Sequence, residues 1–262
     1  MKQNIKHKIL GYKYKIGLNL KRLRLYSGEN GRVLKSFKDK YKGQRCFIIG
    51  NGPSLTIDDL NKLKYEKTFA FNRIYYLFDK TDWRPSFYFT EDLKIIENSL
   101  DKINKLTLPY IFSPDIISFD YNMKIKNATY FKQIMEKFDQ GLPKFSENFS
   151  KESYWGGTVS YTAMQMAVYM GFKEIYLIGT DHSFSMYENK DGKIIIDNTV
   201  KDYFCDDYNQ DKENLEIPNL DDSTKAYIAA RKYCDKHGVK IYNATRGGKL
   251  EVFERKDFDS II

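Results

Sequence analysis

An aspartate and a histidine stand side by side at Asp181-His182, behind the short apolar run at residues 174–178. A neutral imidazole can take a proton from a hydroxyl group near pH 7, and an adjacent carboxylate can orient it. We therefore interpret Asp181 and His182 as candidate catalytic residues. Two alternatives stay open: an inert loop histidine held by Asp181, and an Asp181 that binds ribose hydroxyls, holds a metal or caps the turn.

A glycine-rich turn ends an earlier apolar run at residues 46–49, which has the length and β-branched content of a buried strand. The turn is Gly50-Asn51-Gly52-Pro53, and Ser54 behind it is predicted to cap a helix. Glycines let the backbone approach a ligand, and a helix N-terminus offers unpaired N–H groups to an anion. We predict a phosphate- or ribose-binding corner, with an ordinary tight turn as the alternative. The motif is neither G-x-G-x-x-G nor the lysine-bearing P-loop.

Polar residues also end the other predicted strands. Asn72 ends the run 68–72, Asp92 follows the run 86–90, and Arg246 follows the run 239–242. Because ligands of open α/β sheets bind at the carboxyl ends of the strands, we expect a small-molecule site along this edge. Arg246 with the two glycines behind it is predicted to bind an anion there, and a charged surface loop is the alternative.

The elements that must position these residues alternate between strand and helix, which predicts an α/β fold with a Rossmann-like, doubly wound, mainly parallel sheet. A further strand is expected at 108–112, beginning at an edge of the sheet because of Pro109. Helices are expected behind the Gly50 turn, behind Asp92, behind Thr158 with Gly171 as C-cap, and over 221–236. Residues 114–153 give no assignment.

Residues 183–219 are polar and rich in tyrosine, with a hairpin predicted around Asp191-Gly192. So long a stretch between regular elements is typical of a lid over a site. Tyr187, Tyr203 and Tyr208 are candidates for binding phosphate or stacking on a base, although aromatic lid residues also simply pack down. Tyr203 is the one we assign to the substrate.

Charge is distributed unevenly along the 262 residues. Residues 1–45 hold 14 Lys and Arg against Glu29 and Asp39, a net charge of +12; since the whole chain carries +8, the remainder carries −4. We therefore divide the chain into a basic arm at 1–44 and a nucleotide-binding body at 45–262. Three scattered cysteines and the lack of a long apolar run or signal peptide predict a reduced, cytoplasmic protein.

The arm has the pattern of a basic amphipathic helix, because apolar residues recur every three or four positions between lysines and arginines. They are Ile5, Ile9, Tyr12, Ile16, Leu20 and Leu23. Residues 1–25 are thereby a candidate for contact with an anionic membrane surface. A helix packed on the body with a solvated basic face is the alternative. No motif that reads nucleic acid accompanies the charge, so we expect no nucleic-acid partner.

Several motifs together resemble a known family. Residues 47–55, Asn72, residues 171–179 with Asp181, and residues 241–245 resemble the MptE-like family, named after a 6-hydroxymethylpterin diphosphokinase, and also bacterial lipooligosaccharide sialyltransferases. The similarity covers roughly residues 45–258 in pattern. The sialyltransferase resemblance implies that Asn51, Gly52 and Asn72 line a CMP site and that Thr158 lies near it. Gly50, Ser54 and Gly179 belong to the same motifs, and we assign them to the nucleotide as well.

The sialyltransferase resemblance has one departure. Those enzymes carry a general-base histidine shortly before the helix that precedes the last strand, and residues 217–223 contain none. A proton acceptor must then come from elsewhere, which directs attention to His182. The other branch of the resemblance implies pyrophosphate transfer from ATP to a pterin alcohol with Mg²⁺. Its carboxylates would be Asp181, Asp92 and Glu91, and its phosphate-binding cations Arg246 or Lys249.

We therefore expect a nucleotide-sugar-dependent glycosyltransferase of bacterial cell-surface glycan biosynthesis, with a CMP-linked donor favoured and a glycan acceptor at the inner face of the membrane. The diphosphokinase and a non-catalytic nucleotide- or glycan-binding module are the alternatives. No cofactor is expected for the glycosyltransferase, whereas the diphosphokinase would need Mg²⁺. The sequence leaves the metal ligands and the oligomeric state open.

Overall fold

The computed structural model describes most of the chain, with side chains from residue 13 onward: residues 2–138, 141–189, 191–197, 199–205, 208 and 216–262. Its strands are β1 (Arg45–Ile49), β2 (Thr68–Phe71), β3 (Phe87–Phe89), β4 (Ile111–Pro114), β5 (Ala128–Phe131), β6 (Gln133–Ile134), β7 (Ser153–Tyr154), β8 (Glu174–Ile178), β9 (Met186–Glu188), β10 (Ile194–Ile196), β11 (Lys240–Asn243) and β12 (Glu254–Arg255). Its α-helices are α1 (Lys2–Ser27), α2 (Glu29–Ser36), α3 (Ile57–Lys62), α4 (Leu93–Asn104), α5 (Asp115–Phe119), α6 (Val159–Tyr169) and α7 (Leu220–Lys236).

Eight of the strands form one parallel sheet in the order β12-β11-β8-β1-β2-β3-β4-β5. The chain first builds the sheet outward from β1 to β5, then returns to the other side of β1 with β8, β11 and β12. The order of strands therefore reverses between β1 and β8, which is where open α/β sheets bind ligands. The predicted Rossmann-like, doubly wound fold is confirmed.

The central strands are apolar on both faces because helices cover both sides of the sheet. One face carries a row of phenylalanines from neighbouring strands, Phe69, Phe87, Phe89, Phe112 and Phe131, which pack with α2 and α6. On the other face Phe47 and Ile49 pack with residues of α3 and α4. The two cores fix β1 and β8 rigidly, so the turns behind them are held in place.

Two local predictions were wrong. Ser54 does not cap a helix; α3 begins later, with Thr56 as N-cap in a capping box with Asp59. The strand expected at 108–112 begins only at Ile111, and it lies inside the sheet between β3 and β5. Pro109 precedes the strand and is compatible with that position because it need not donate a ladder hydrogen bond.

Most of the remaining elements lie where the sequence placed them. Strand β8 has the predicted bounds, and Gly171 adopts a positive φ of 90° behind α6, as a C-cap glycine does. The predicted hairpin around Gly192 is the antiparallel pair β9 and β10. Part of the predicted lid at 183–219 lies outside the described residues.

The basic arm contains two helices that differ in their packing. Helix α2 belongs to the core, since Leu34 and the adjoining Phe37 are fully buried. Helix α1 lies against α5 instead, where Arg22 forms an ion pair with Asp115. No helix in the described part of the chain is long and apolar enough to cross a membrane. The boundary between arm and body at residue 44 stays a prediction.

Candidate functional site

A cavity of about 580 Å³ opens at the carboxyl ends of β1, β2, β3 and β8, beside the reversal in strand order. Ten of the predicted site residues line it: Gly50, Asn51, Gly52, Asn72, Asp92, Thr158, Gly179, Asp181, His182 and Tyr203. Residues from six separate stretches of sequence thus meet at one place. Their roles stay predictions, but the structure brings them together.

Two predicted site residues lie outside the cavity lining. Arg246 pairs through Nη1 with both carboxylate oxygens of Asp59, at 2.6 and 2.8 Å, and through Nη2 with Asp259 at 3.3 Å. Its guanidinium thereby holds the first turn of α3 and is not brought to the cavity. Ser54 lies behind the cavity wall, where its hydroxyl donates to Asp181 Oδ2 at 2.7 Å.

The glycine turn behind β1 packs on the end of β8. The N–H groups of Gly50 and Gly52 donate to the carbonyls of Ile178 and Gly179, each at 2.8 Å. A Cβ on Gly52 would overlap the Asp181 carboxylate and approach the Gly179 oxygen to 2.7 Å. These glycines are therefore required for contact between two strand ends. Both N–H groups are already used and α3 begins only at Ile57, so these two groups are not free donors for an anion. The role of the turn in binding phosphate or ribose stays a prediction.

A different helix presents its N-terminus to the cavity. Thr158 is the N-cap of α6, and its neighbours Gly157, Val159 and Ser160 also line the cavity. The first N–H groups of a helix lack intrahelical partners and carry partial positive charge, so they favour an anion. The anion-binding helix start that was predicted behind Ser54 is better matched by α6.

Two asparagines face the cavity with buried acceptors. Asn51 Nδ2 donates to the Phe71 carbonyl at 3.1 Å and to the Tyr208 hydroxyl at 3.0 Å, which fixes the orientation of the amide. Its Oδ1 is buried and has no hydrogen-bond partner among the described residues, and the same holds for Oδ1 of Asn72. A buried polar atom without a partner costs about 1–3 kcal/mol, so both oxygens call for a donor from a ligand.

Backbone strain also marks the cavity. Asn72 has a φ of 47° and His182 a φ of 53°, both in the left-handed region that residues other than glycine seldom adopt. Such conformations persist where the surrounding structure imposes them, and they concentrate at functional sites. For Asn72 the backbone carbonyl is held by the Tyr88 hydroxyl at 2.6 Å.

His182 is half-buried and packs against Tyr227, and its Nε2 lies 2.8 Å from Thr224 Oγ1. Thr224 also lies 2.7 Å from the Leu220 carbonyl, to which its single hydroxyl proton can be donated. His182 Nε2 then carries the proton, which leaves Nδ1 as the basic nitrogen. Burial lowers the pKa of His182 to about 4, so the ring is neutral at pH 7.

Asp181 connects the strand ends. Asp181 is 7% exposed, and its carboxylate accepts hydrogen bonds from the hydroxyl of Ser54 and, at 3.4 Å, from the backbone N–H of Ser54. The backbone carbonyl of Asp181 accepts from the Lys249 N–H at 2.8 Å. Burial raises the pKa of this carboxyl, opposed by the Ser54 hydroxyl. We infer that Asp181 positions the Gly50 turn and His182.

Glu91 is a second buried acid, one that the sequence suggested only as a metal ligand. Its Oε2 accepts from Gln133 Nε2 at 3.0 Å and from Thr162 Oγ1 at 3.2 Å, while its Oε1 is buried without a partner among the described residues. Burial raises the pKa of Glu91 to about 8. Its position at the end of β3 was the signal that could have identified it. Asp92 beside it caps α4, and burial raises its pKa as well.

Tyrosines from the predicted lid form one wall. Tyr203 stacks on Tyr208 with ring centroids 3.8 Å apart, and the carbonyl of Tyr208 accepts from Arg73 Nη1 at 2.6 Å. Tyr203 is therefore packed down on its neighbour and still lines the cavity. Other lining residues that the sequence did not indicate include Trp155 and Gln133, which lie around the unassigned stretch 114–153.

The charge of the lining is one-sided. Within the described ranges its ionisable groups include seven carboxyls and His182, and neither Lys nor Arg; the carboxyls are Glu91, Asp92, Asp181, Glu188, Asp202, Glu216 and Asp222. No group of three His, Cys, Asp or Glu side chains among the described residues converges as metal ligands do. Mg²⁺ is commonly held by one or two carboxylates together with substrate phosphates, so the carboxyls of the lining could hold it when a nucleotide is bound; we derive no step through it.

Comparison with known proteins identifies the class. The model of the MptE-like family, "6-hydroxymethylpterin diphosphokinase MptE-like", matches residues 24–186. That stretch is more than half of the chain, and the chain belongs to this family. No curated protein matches it.

Solved structures show a similar fold. One is the MAf glycosyltransferase from Magnetospirillum magneticum AMB-1, at 13% identity and a TM-score of 0.50, over 87% of this chain and 38% of that one. Another is the sialyltransferase CstII from Campylobacter jejuni with cytidine-5'-monophosphate, at 17% identity and a TM-score of 0.48, over 82% of this chain and 85% of that one. The chain thus spans well under half of the first of these proteins. At such identities the likeness is one of fold.

Proposed function

We propose that the chain is a glycosyltransferase that uses a nucleotide-linked sugar. The observation that carries the proposal is the pair of buried, unpartnered amide oxygens, Asn51 Oδ1 and Asn72 Oδ1, at the reversal in strand order. These acceptors suit the hydroxyl or amino donors of a nucleoside. The N-terminus of α6, around Thr158, faces the same cavity and suits the phosphate.

The charge of the lining favours a donor with little phosphate charge. Glu91 is mostly protonated at pH 7, so a triphosphate would bring several negative charges toward the six other carboxyls of the lining. No Lys or Arg is among the described lining residues, and the nearby Arg73 and Lys94 already act on Asp92. A sugar joined to a nucleoside monophosphate brings one phosphate group, which backbone N–H groups and hydroxyls can hold. The carboxyls can then accept hydrogen bonds from sugar hydroxyls. A CMP-linked donor is the form we favour.

Glu91 and His182 suit acid–base catalysis because their environments shift their pKa values in opposite directions. At pH 7 His182 is neutral and can take the proton of the acceptor hydroxyl at Nδ1, while Glu91 is mostly protonated. The acceptor oxygen forms a bond to the anomeric carbon as the bond from that carbon to the phosphate oxygen breaks. The proton of Glu91 goes to the leaving phosphate. Asp181 is a positioning residue in this scheme.

The family match favours a second candidate, transfer of pyrophosphate from ATP to a pterin alcohol. That reaction uses carboxylates to hold Mg²⁺ and Lys or Arg to offset phosphate charge, and the described lining supplies the carboxylates but neither Lys nor Arg. A non-catalytic nucleotide- or glycan-binding module would share the asparagine site and lack turnover. The role in cell-surface glycan biosynthesis, with a glycan acceptor at the inner face of a membrane, belongs to the same proposal.

A thermal-shift screen tests the donor. We expect CMP to raise the melting temperature without added metal, and more than UDP, GDP or ATP do. Asn72→Ala should weaken this binding about tenfold, because the free amide oxygen is lost. Asn127→Ala is the matched control, since Asn127 is an exposed asparagine that also has a positive φ, of 60°. Stabilisation by ATP that requires Mg²⁺, with turnover of hydroxymethylpterin, would overturn the glycosyltransferase proposal.

A further inference from the structure

Helix α1 carries an exposed apolar stripe, defined here as Ile16, Leu20 and Leu23. Their exposed fractions are 60%, 62% and 68%, although large aliphatic side chains are usually buried. At about 100° of rotation per residue, the three side chains fall within an arc of about 60° on one side of the helix. In the sequence the same spacing continues at Ile9 and Ile5.

The opposite side of α1 is fixed to the body. Arg22 donates to both carboxylate oxygens of the buried Asp115, at 2.7 and 2.9 Å, and the Tyr26 hydroxyl donates to the same carboxylate at 3.0 Å. Nearer the start of the helix, the Tyr14 hydroxyl donates to Asp120 at 2.6 Å. These contacts hold the helix on α5 with the stripe turned toward solvent. The stripe is thus an unpartnered face on an anchored helix.

Charge identifies the occupant of this face. Helix α1 contains eight Lys and Arg and no acidic residue, and Lys13, Lys15 and Arg24 flank the stripe as exposed side chains. A second copy of the chain would place an equally basic helix against the first, which like-charge repulsion opposes. An anionic bilayer attracts the charge and accepts the three apolar side chains. Over its whole length α1 is only weakly amphipathic, so the attraction of its basic residues to the bilayer carries most of the binding.

Helix α1 is connected to one wall of the cavity through α5. Helix α5, on which α1 rests, contributes Ile116 and Ile117 to the cavity lining. Tyr121, next to the Asp120 that anchors Tyr14, lines the cavity and is 47% exposed, and Met135 lines it and is 54% exposed. The helix that carries the stripe is thus fixed to the side of the protein on which these lining residues lie.

We propose that α1 lies in the surface of an anionic membrane and holds the cavity mouth beside the lipid headgroups, so that a membrane-anchored acceptor reaches the site. Docking rests on the stripe and the charge alone, whereas the nature of the acceptor rests on the proposed function. Each Lys or Arg near an anionic surface strengthens binding about fivefold. Burial of the stripe adds to that, and neither contribution requires a nucleotide.

Co-sedimentation of the full chain with vesicles tests the docking. We expect binding to vesicles of phosphatidylserine and phosphatidylcholine, weak binding to phosphatidylcholine alone, and release by salt. Changing the stripe together, as Ile16→Ser, Leu20→Ser and Leu23→Ser, keeps the charge and should weaken binding at least about tenfold. Ile194→Ser with Ile196→Ser is the matched control, because these exposed isoleucines lie on the β9–β10 hairpin.

The charge contribution has its own comparison. Lys13→Gln, Lys15→Gln and Arg24→Gln should also weaken binding. Three exposed lysines outside α1, which precede β2, β3 and β4, should not matter when changed to Gln; these are Lys64, Lys80 and Lys105. Equal loss in the two sets would mean non-specific attraction and would overturn the proposal. The proposal would also be overturned if the wild-type chain did not bind anionic vesicles at low salt, if it dimerised through the stripe, or if it bound nucleic acid in preference to vesicles.

The experiments distinguish a failure of the membrane-docking proposal from a failure of the donor-binding proposal. A stripe variant that loses vesicles and keeps its CMP-induced stabilisation supports docking through α1. Vesicle binding without any nucleotide-induced stabilisation would refute the proposed function and leave the docking intact. Nucleotide binding by a wild-type chain that ignores vesicles would refute the docking alone.

Discussion

Replacing Glu91 by glutamine should make the protein more stable at alkaline pH. The Glu91 carboxyl is buried, with one oxygen that accepts from Gln133 and Thr162 and the other without a partner among the described residues. Burial raises its pKa from the ordinary 4.5 to about 8. Glutamine has nearly the same shape as glutamate, so its side-chain oxygen can keep the hydrogen bonds from Gln133 and Thr162, and it does not ionise.

The size of the effect follows from the two pKa values. Each tenfold change in proton affinity is worth about 1.4 kcal/mol, so a pKa of about 8 against 4.5 corresponds to about 5 kcal/mol. The folded chain binds this proton more tightly than the unfolded chain does. The favourable contribution is therefore complete below the unfolded pKa of 4.5 and is lost as the pH rises through about 8. Near pH 7 about 3 kcal/mol of it is already gone.

Urea unfolding of wild type and Glu91→Gln across this pH range measures the effect. We expect the two midpoints to be close at acid pH, and the glutamine variant to become the more stable one by up to about 5 kcal/mol at alkaline pH. Glu97→Gln, an exposed glutamate on α4, is the matched control and should show no such divergence. A difference between wild type and Glu91→Gln that stays constant with pH would refute the buried, protonated carboxyl and with it the proposed acid.

Two further predictions concern His182 and Arg246. His182→Gln should lower turnover by about a hundred- to ten-thousand-fold with donor affinity unchanged; wild-type kcat/KM should fall as the pH drops through about 4, and loss of donor binding instead would make His182 a binding residue. Arg246→Ala leaves the buried Asp59 without its guanidinium and should cost about 1–3 kcal/mol in urea unfolding, with the nucleotide-induced shift unchanged. The control Lys240→Ala breaks a pair with Asp235 in which both side chains are exposed, and it should cost less than about 1 kcal/mol. A weakened nucleotide-induced shift in Arg246→Ala would mean that Arg246 contributes to the site.

The sequence predicts the centre of the fold well because local signals there agree. Strands β1 and β8 are short apolar runs closed by glycines, and such runs can be read without tertiary information. Strands β5 and β12 were not predicted, because each is short and its pairing, with β4 and β11 respectively, defines it more than its own residues do.

The candidate site was predicted by position more reliably than by role. Residues that end strands do meet in one cavity, because parallel strands share a carboxyl edge. Arg246 also follows a strand, but its guanidinium turns to Asp59, which a sequence cannot show. Likewise, the N–H groups of Gly50 and Gly52 are already used by β8, and only the sheet register reveals this.

Charge links the cavity to the arm. Residues 1–45 carry +12 and the remainder −4, and the described cavity lining contains seven carboxyls. The carboxyls of the cavity therefore repel an anionic donor, whereas the basic residues of α1 attract it. Contact of α1 with an anionic membrane would neutralise the attraction between the helix and the donor. The donor proposed for the docked protein therefore has a single phosphate, held by the N-terminus of α6, and sugar hydroxyls that donate to the carboxyls.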